Sequence, residues 1–99
     1  MEKPLLSVVA EIVALPEYAD EVRMRLLDLI EPTRRENGCV EYYLHEANEE
    51  VGRFLFYENW TSLAALDAHL ATPHIAAMLA AVEGKLAAPP RVITCTKIA

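Results

Sequence analysis

Residues 39–60 read CVEYYLHEANEEVGRFLFYENW, and this stretch decides the fold. Cys39–Ala47 and Arg53–Trp60 are two aromatic-rich β runs. The acidic turn Asn48–Gly52 between them carries its glycine late, as a hairpin connection does. On the C-terminal side, Thr61 or Ser62 is placed to cap a helix whose buried stripe is Leu63, Leu66 and Leu70. Thr72-Pro73 restarts a second helix, a cap followed by proline at the first position, with Ile75, Met78, Leu79 and Val82 as its stripe. Pro89-Pro90 closes the helical region, and Arg91–Ile98 is a β-branched last strand. On the N-terminal side, Asn37-Gly38 is a stop signal, because both residues accept left-handed backbone angles. Before it, Pro16 opens a helix with Ala19, Val22, Leu26 and Leu29 on its inner face. Pro32 interrupts that helix and leaves Thr33–Glu36 as a separate short piece. Leu5–Ala14 supplies the first strand. The order β-α-β-β-α-α-β, in a single domain over residues 1–99, predicts an α+β fold. It fits a ferredoxin-like βαββαβ sandwich, a four-stranded antiparallel sheet with helices on one face.

Helices on one side leave the other face of the sheet open, and an open face should alternate to polar. These strands do not. Phe54 and Phe56 point one way while Leu55 and Tyr57 point the other, and Leu5–Ala14 is apolar on both parities. A second copy packed sheet against sheet is the simplest cover, so a homodimer through the sheet face is expected.

Composition narrows the partners. In 99 residues, 54 % are hydrophobic and 24 % charged, which marks a globular chain. Fifteen acidic residues against nine basic ones give a net charge of −6, which argues against nucleic acid and against a polybasic membrane anchor. Arg53-Phe54-Leu55-Phe56 is a poor match to the aromatic RNA-binding strand that this layout sometimes carries. No apolar run approaches the roughly 20 residues of a membrane span. Met1-Glu2-Lys3-Pro4 is not the start of a secretory signal, and Cys39 and Cys95 make no disulfide framework, so a cytoplasmic protein with reduced thiols is expected.

Several residues carry chemistry. His69 and His74 flank the helix–helix joint in DAHLATPHIAAM and are the groups that titrate near neutral pH without help. On a helical projection each lies on the flank of its apolar stripe, at a pocket rim or in solvent. His-x4-His across a proline-marked break, with only Asp67 nearby, makes no metal-ligand set. Between Asn59 and Val82 the one formal charge is Asp67, so the Ala-rich helical pair suits the lid of an apolar cavity. Trp60 shares a strand face with Phe54, Phe56 and Glu58. Glu11 lies on the neighbouring first strand; two such carboxylates can raise one another's pKa and leave one to serve as acid or base, while the commoner outcome is a hydrogen bond to a buried tyrosine or serine, or an ion pair across an interface. No nucleophile elbow and no glycine-rich phosphate loop is present, so no cofactor is implied.

The segment Glu58–Leu86, ENWTSLAALDAHLATPHIAAMLAAVEGKL, resembles the antibiotic biosynthesis monooxygenase superfamily. There a strand ends in Glu-x-Trp, a serine-containing cap follows, and the helices carry Ala/Leu-x-x-His-x-x-Thr-x-His. Glu58, Trp60, Ser62, Leu66, His69, Thr72, Pro73 and His74 match it, and VVAEIVALPEYADEV and PTRRENGCVEY are similar too. The resemblance implies a dimeric α+β barrel and cofactor-free oxidation of a quinol or other hydroxylated aromatic molecule by O2. A base deprotonates the phenol in an apolar pocket, and the anion passes an electron to O2. His69 is the first candidate base and His74 the second. Trp60, Tyr57 and Phe56 would wall the pocket, with Asn59 or Glu58 orienting a substrate oxygen. The haem-degrading branch uses an asparagine where this chain reads Ala10-Glu11-Ile12, so haem cleavage is not implied. A second branch, similar in its third strand and TPH segment, isomerises a small sugar-like phosphate; Arg34, Arg35 or Arg91 would have to supply the cation. A non-catalytic small-molecule-binding dimer would use the same pocket.

Overall fold

The computed structural model describes residues 4–99, so the reading made at Met1–Lys3 lies outside the described residues. The first strand is β1 (Leu6–Val13), followed by a 3-10 turn at Pro16–Tyr18 and by α1 (Ala19–Leu27) and α2 (Ile30–Arg34). The hairpin is β2 (Cys39–Glu46) and β3 (Arg53–Trp60), and then come α3 (Leu63–Leu70), α4 (Pro73–Val82) and β4 (Arg91–Thr96). The strands form one antiparallel sheet in the order β2-β3-β1-β4, the ferredoxin-like arrangement with helices on one face.

Proline explains two departures from the expected helix ends. Pro16 opens the 3-10 turn, and α-helical bonding begins only at Ala19. The break after α1 falls at Asp28–Leu29 rather than at Pro32. Restarting at Ile30 puts Pro32 in the first turn of α2, where a missing N–H costs no helical hydrogen bond, so the short piece is Ile30–Arg34 and not Thr33–Glu36. Ala19, Val22, Leu26 and Leu29 are all buried, as the spacing predicts.

Sheet parity sorts the side chains. Val8, Ala10 and Ile12 of β1, Tyr42 of β2, and Phe54, Phe56, Glu58 and Trp60 of β3 are buried on the helix side. Val8 stands opposite Glu58, and Ala10 opposite Phe56. The other face carries Val9, Leu55, Tyr43, Tyr57 and Ile93, with Tyr43 47 % and Tyr57 43 % exposed. Ser62 caps α3, its Oγ accepting from Ala65 N at 3.1 Å, and Thr72 caps α4. The inner face of α3 is not the expected leucine stripe. Leu63 is largely exposed and Leu70 about half exposed, whereas Leu66 and His69 are buried. Leu79 of α4 is also half exposed, while Ile75, Met78 and Val82 are buried.

Gly38 ties the loop before β2 to α3. Its φ of +93° is one that L side chains avoid, and a Cβ there would stand 2.6 Å from Ala65 Cβ and 2.8 Å from Thr61 Oγ1. Its carbonyl accepts from Thr61 N at 2.9 Å. Only glycine lets this loop lie so close to the start of α3, and Glu36 is carried there with it. No single helix among the described residues is long and apolar enough to cross a membrane; α3 and α4 reach that length only together, bent by 53°. Cys39 and Cys95 are free thiols.

Candidate active site

Between the sheet and the helices lies a cavity of about 180 Å3. Val8, Ala10, Ile12, Tyr42, Phe56 and Glu58 form its floor, and Leu29, Leu66, His69, Ile75 and Met78 its roof. Leu70, Leu79 and Val92, each close to half exposed, line it toward the surface beside Pro90. An apolar cavity of about 150 Å3 holds a benzene ring, so this one has room for a small aromatic molecule. Among the described residues the wall contains no lysine or arginine, and its ionisable side chains are His69, Glu58 and Tyr42.

His69 is 2 % exposed, not at a rim or in solvent as its helical position suggested. The reason is a partner that lies far away in sequence: Glu36 Oε2 stands 2.7 Å from His69 Nδ1. A carboxylate accepts only, so the imidazole donates through Nδ1 and keeps a lone pair on Nε2. Trp60 packs on the imidazole with ring centroids 4.7 Å apart, and Tyr42 meets it edge-on at 5.5 Å. Burial lowers the His69 pKa below its ordinary value, while the hydrogen bond to Glu36 opposes that fall. The same Glu36 oxygen stands 2.8 Å from His74 Nε2. His74 is half-buried and lies outside the cavity wall, facing a shallow hollow beside Arg25 and Asp28.

Glu58 is 3 % exposed, and its Oε1 accepts from Trp60 Nε1 at 2.8 Å. Burial pushes its pKa up to about 7; the Trp60 hydrogen bond opposes the rise and the charge of Glu36 adds to it. Near neutral pH this carboxyl exists in both forms. Tyr42 is stacked on Phe56 at 5.0 Å, and burial drives its phenol well above the ordinary value. Thr33 Oγ1, also buried, has no hydrogen-bond partner among the described residues.

The structure therefore brings Phe56, Glu58, Trp60, His69 and His74 together and separates three other expected residues from them. Trp60 stands behind His69 and Glu58 and does not line the cavity. Tyr57 and Asn59 lie on the opposite face, because successive residues of a strand alternate. There Asn59 Nδ2 donates to Tyr57 Oη at 3.0 Å, and Ser7 Oγ donates to Asn59 Oδ1 at 2.6 Å. Glu11 is opposite Leu55, also on that face, and pairs with Arg53 at 2.5 Å. Of the two readings of this pair, the coupling of Glu11 to Glu58 is overturned, because the sheet lies between them: Glu11 is in an ion pair, Glu58 is hydrogen-bonded to Trp60, and burial lifts the Glu58 pKa. Glu36 is the residue that the sequence did not reveal. Its one local signal is its place two residues before a left-handed glycine. None of the expected cation suppliers reaches the cavity. Arg34 donates to Tyr42 O at 2.8 and 3.1 Å, Arg35 pairs with Glu31, and Arg91 lies outside the wall.

Comparison with known proteins identifies relatives of the chain and of its fold. The family model described as antibiotic biosynthesis monooxygenase matches residues 5–81. An uncharacterised protein of Synechocystis, sll1783, is 38 % identical over 70 % of this chain, an alignment that spans only 47 % of that protein's length. Rv0793 of Mycobacterium tuberculosis, named as a candidate monooxygenase, is 34 % identical over 90 % of this chain and 86 % of its own. The crystal structure of PA3566 from Pseudomonas aeruginosa superposes with a TM-score of 0.93 at 28 % identity, covering 100 % of this chain and 99 % of that one.

Proposed function

Because the chain belongs to the antibiotic biosynthesis monooxygenase family, we propose that it is a monooxygenase oxidising a quinol or other hydroxylated aromatic molecule with O2. The observation that carries this reading is the cavity of about 180 Å3, apolar except where His69, Glu58 and Tyr42 reach it. The substrate hydroxyl gives its proton to His69 Nε2, and Glu36 stabilises the imidazolium through Nδ1. The aryl oxide is electron-rich and passes one electron to O2. The resulting superoxide and substrate radical combine at a ring carbon that bears hydrogen. His69 returns its proton to the peroxide. The O–O bond then breaks: one oxygen stays as a carbonyl, and the other leaves as water with the hydrogen of that carbon. Glu58, as the neutral acid, supplies the proton to the departing oxygen and regains one from the carbon. Apolar walls favour this electron transfer by admitting O2 and excluding water.

A phosphorylated substrate fits less well, because the described residues of the wall offer no cation. The open sheet face supports the second half of the proposal, a homodimer that closes Tyr43, Tyr57, Leu55 and Ile93 against a second copy. Sedimentation velocity at micromolar concentration should give a dimer, and a clean monomer refutes that half. The activity itself is tested by oxygen consumption with menadiol and related quinols in metal-free buffer, for wild type and His69→Ala. Wild type should exceed the non-enzymatic oxidation of the quinol, and the variant should fall back to that background. No excess for wild type defeats the quinol reading.

A further inference from the structure

Glu36, His69 and His74 come from the loop before β2, the last turn of α3 and the first turn of α4, yet their donor atoms all lie within 4.8 Å of one another. Glu36 Oε2 is 2.7 Å from one imidazole nitrogen and 2.8 Å from the other. We propose that these side chains bind one divalent transition-metal ion of the zinc class and that the bound ion switches off the base in the cavity. The binding half goes beyond the proposed oxidation; the switching half rests on it.

Two imidazoles and a carboxylate are the donor set of an open zinc site, which leaves one position for water. Ions of this class bond such nitrogens and oxygens at about 2.0–2.2 Å. Insertion must therefore widen the two hydrogen-bonded separations slightly and draw the imidazoles together. The supporting structure is rigid where it must be and adjustable where it can be. Thr72 Oγ1 donates to His69 O at 2.7 Å and caps α4, which fixes the spacing of the two histidines. Glu36 sits in a bend outside the helices and strands, its N donating to Thr33 O at 3.0 Å and its carbonyl accepting from Cys39 N at 3.2 Å, so the adjustment falls to its side chain. His74 is the most accessible of the three, with 24 % of its side chain exposed, and gives the ion an entry from the surface.

The switch follows from imidazole chemistry. A metal at His69 Nδ1 takes that nitrogen's lone pair, so in the neutral ring the hydrogen moves to Nε2. No proton is lost overall. The nitrogen that would accept the substrate's proton becomes a donor, and the base is gone.

Titration of metal-stripped protein with zinc chloride by calorimetry should show one ion per chain with a dissociation constant at or below about 1 μM. Cobalt(II) should give the intense visible bands of a four-coordinate ion. His74→Gln and Glu36→Gln should each weaken binding at least about tenfold, with circular dichroism confirming that both fold. Zinc should suppress oxygen consumption by the wild type, and a chelator should restore it. No saturable 1:1 binding, or binding unchanged in both folded variants, overturns the site whatever the activity does. Saturable binding with undiminished turnover overturns the switch. If metal-free protein shows no turnover while zinc binds 1:1 through these residues, the oxidation reading and the switch built on it fail, and the metal site stands.

Discussion

Glu58→Gln should make the protein more stable above neutral pH and leave it nearly unchanged in acid. The carboxyl is 3 % exposed, and burial moves its pKa from the ordinary 4.5 to about 7. A folded-state pKa above the unfolded value means that the native state holds the proton more tightly. That stability is fully present below about 4.5 and is lost as pH rises through about 7. At about 1.4 kcal/mol for each tenfold change in proton affinity, the loss is on the order of 3 kcal/mol. Glutamine keeps an oxygen for Trp60 Nε1 and never ionises, so it escapes the loss. Urea unfolding of both proteins at a fixed chain concentration, at pH values from 4 to 8.5 spaced across about 4.5 to 7, isolates the effect, because every other titrating group is common to both. The difference should grow in favour of the variant up to about pH 7 and then level off; at about 3 kcal/mol it corresponds to a rise in melting temperature on the order of 10–20 °C. A difference that is flat across this range refutes the buried, proton-holding carboxyl.

Other substitutions probe the remaining parts. Glu36→Gln and Trp60→Phe should each lower peak kcat/KM by about 10–100-fold; the bell-shaped pH profile should move to lower pH on both limbs in the first and widen on its alkaline side in the second. Gly38→Ala should cost about 2 kcal/mol or more in urea unfolding, since it meets both a φ of +93° and a contact of 2.6 Å with Ala65. Ala10→Leu, on the cavity floor, should keep the fold while raising KM for two-ring quinols more than for one-ring ones; equal effects would place the substrate elsewhere. Ile93→Lys, on the open sheet face where the residue is 40 % exposed, should leave circular dichroism unchanged and shift sedimentation toward the monomer.

The strands were legible because their signals are local. Arg53–Trp60 is a strand with the expected ends, since dense aromatics bounded by Gly52 and by the Ser62 cap leave little choice. The inner face of α1 was equally plain. The face of α3 was not, because burying His69 depends on a carboxylate 33 positions away in sequence. Leucine spacing says which side is apolar; it does not say that a polar side chain will be satisfied there. Glu11 failed for a related reason. β1 is apolar on both parities, so its pattern does not reveal which face meets the helices, and only the pairing of Glu11 with Leu55 and of Val8 with Glu58 does.

The two groups at the cavity show why residues outside its wall matter to its chemistry. Burial acts on both, lowering the pKa of His69 and raising that of Glu58, so in an otherwise empty apolar site each would be held neutral over a wide range of pH. A base that resists protonation and an acid that resists ionisation are both poor catalysts. Each has one hydrogen-bond partner that pulls it back. Glu36 raises the proton affinity of His69, and Trp60 lowers that of Glu58. The partners are of opposite kind because the errors are of opposite sign: an anion corrects the base and a neutral donor corrects the acid. This accounts for the profiles expected of the two variants: in Glu36→Gln His69 stays neutral to lower pH while Glu58, relieved of the Glu36 charge, ionises at lower pH too, and in Trp60→Phe Glu58 stays protonated to higher pH. A profile displaced to lower pH in the first variant and widened in the second, each with a lower maximum, marks loss of this correction. A lower maximum with neither limb moved would mean that the two partners act only by holding position.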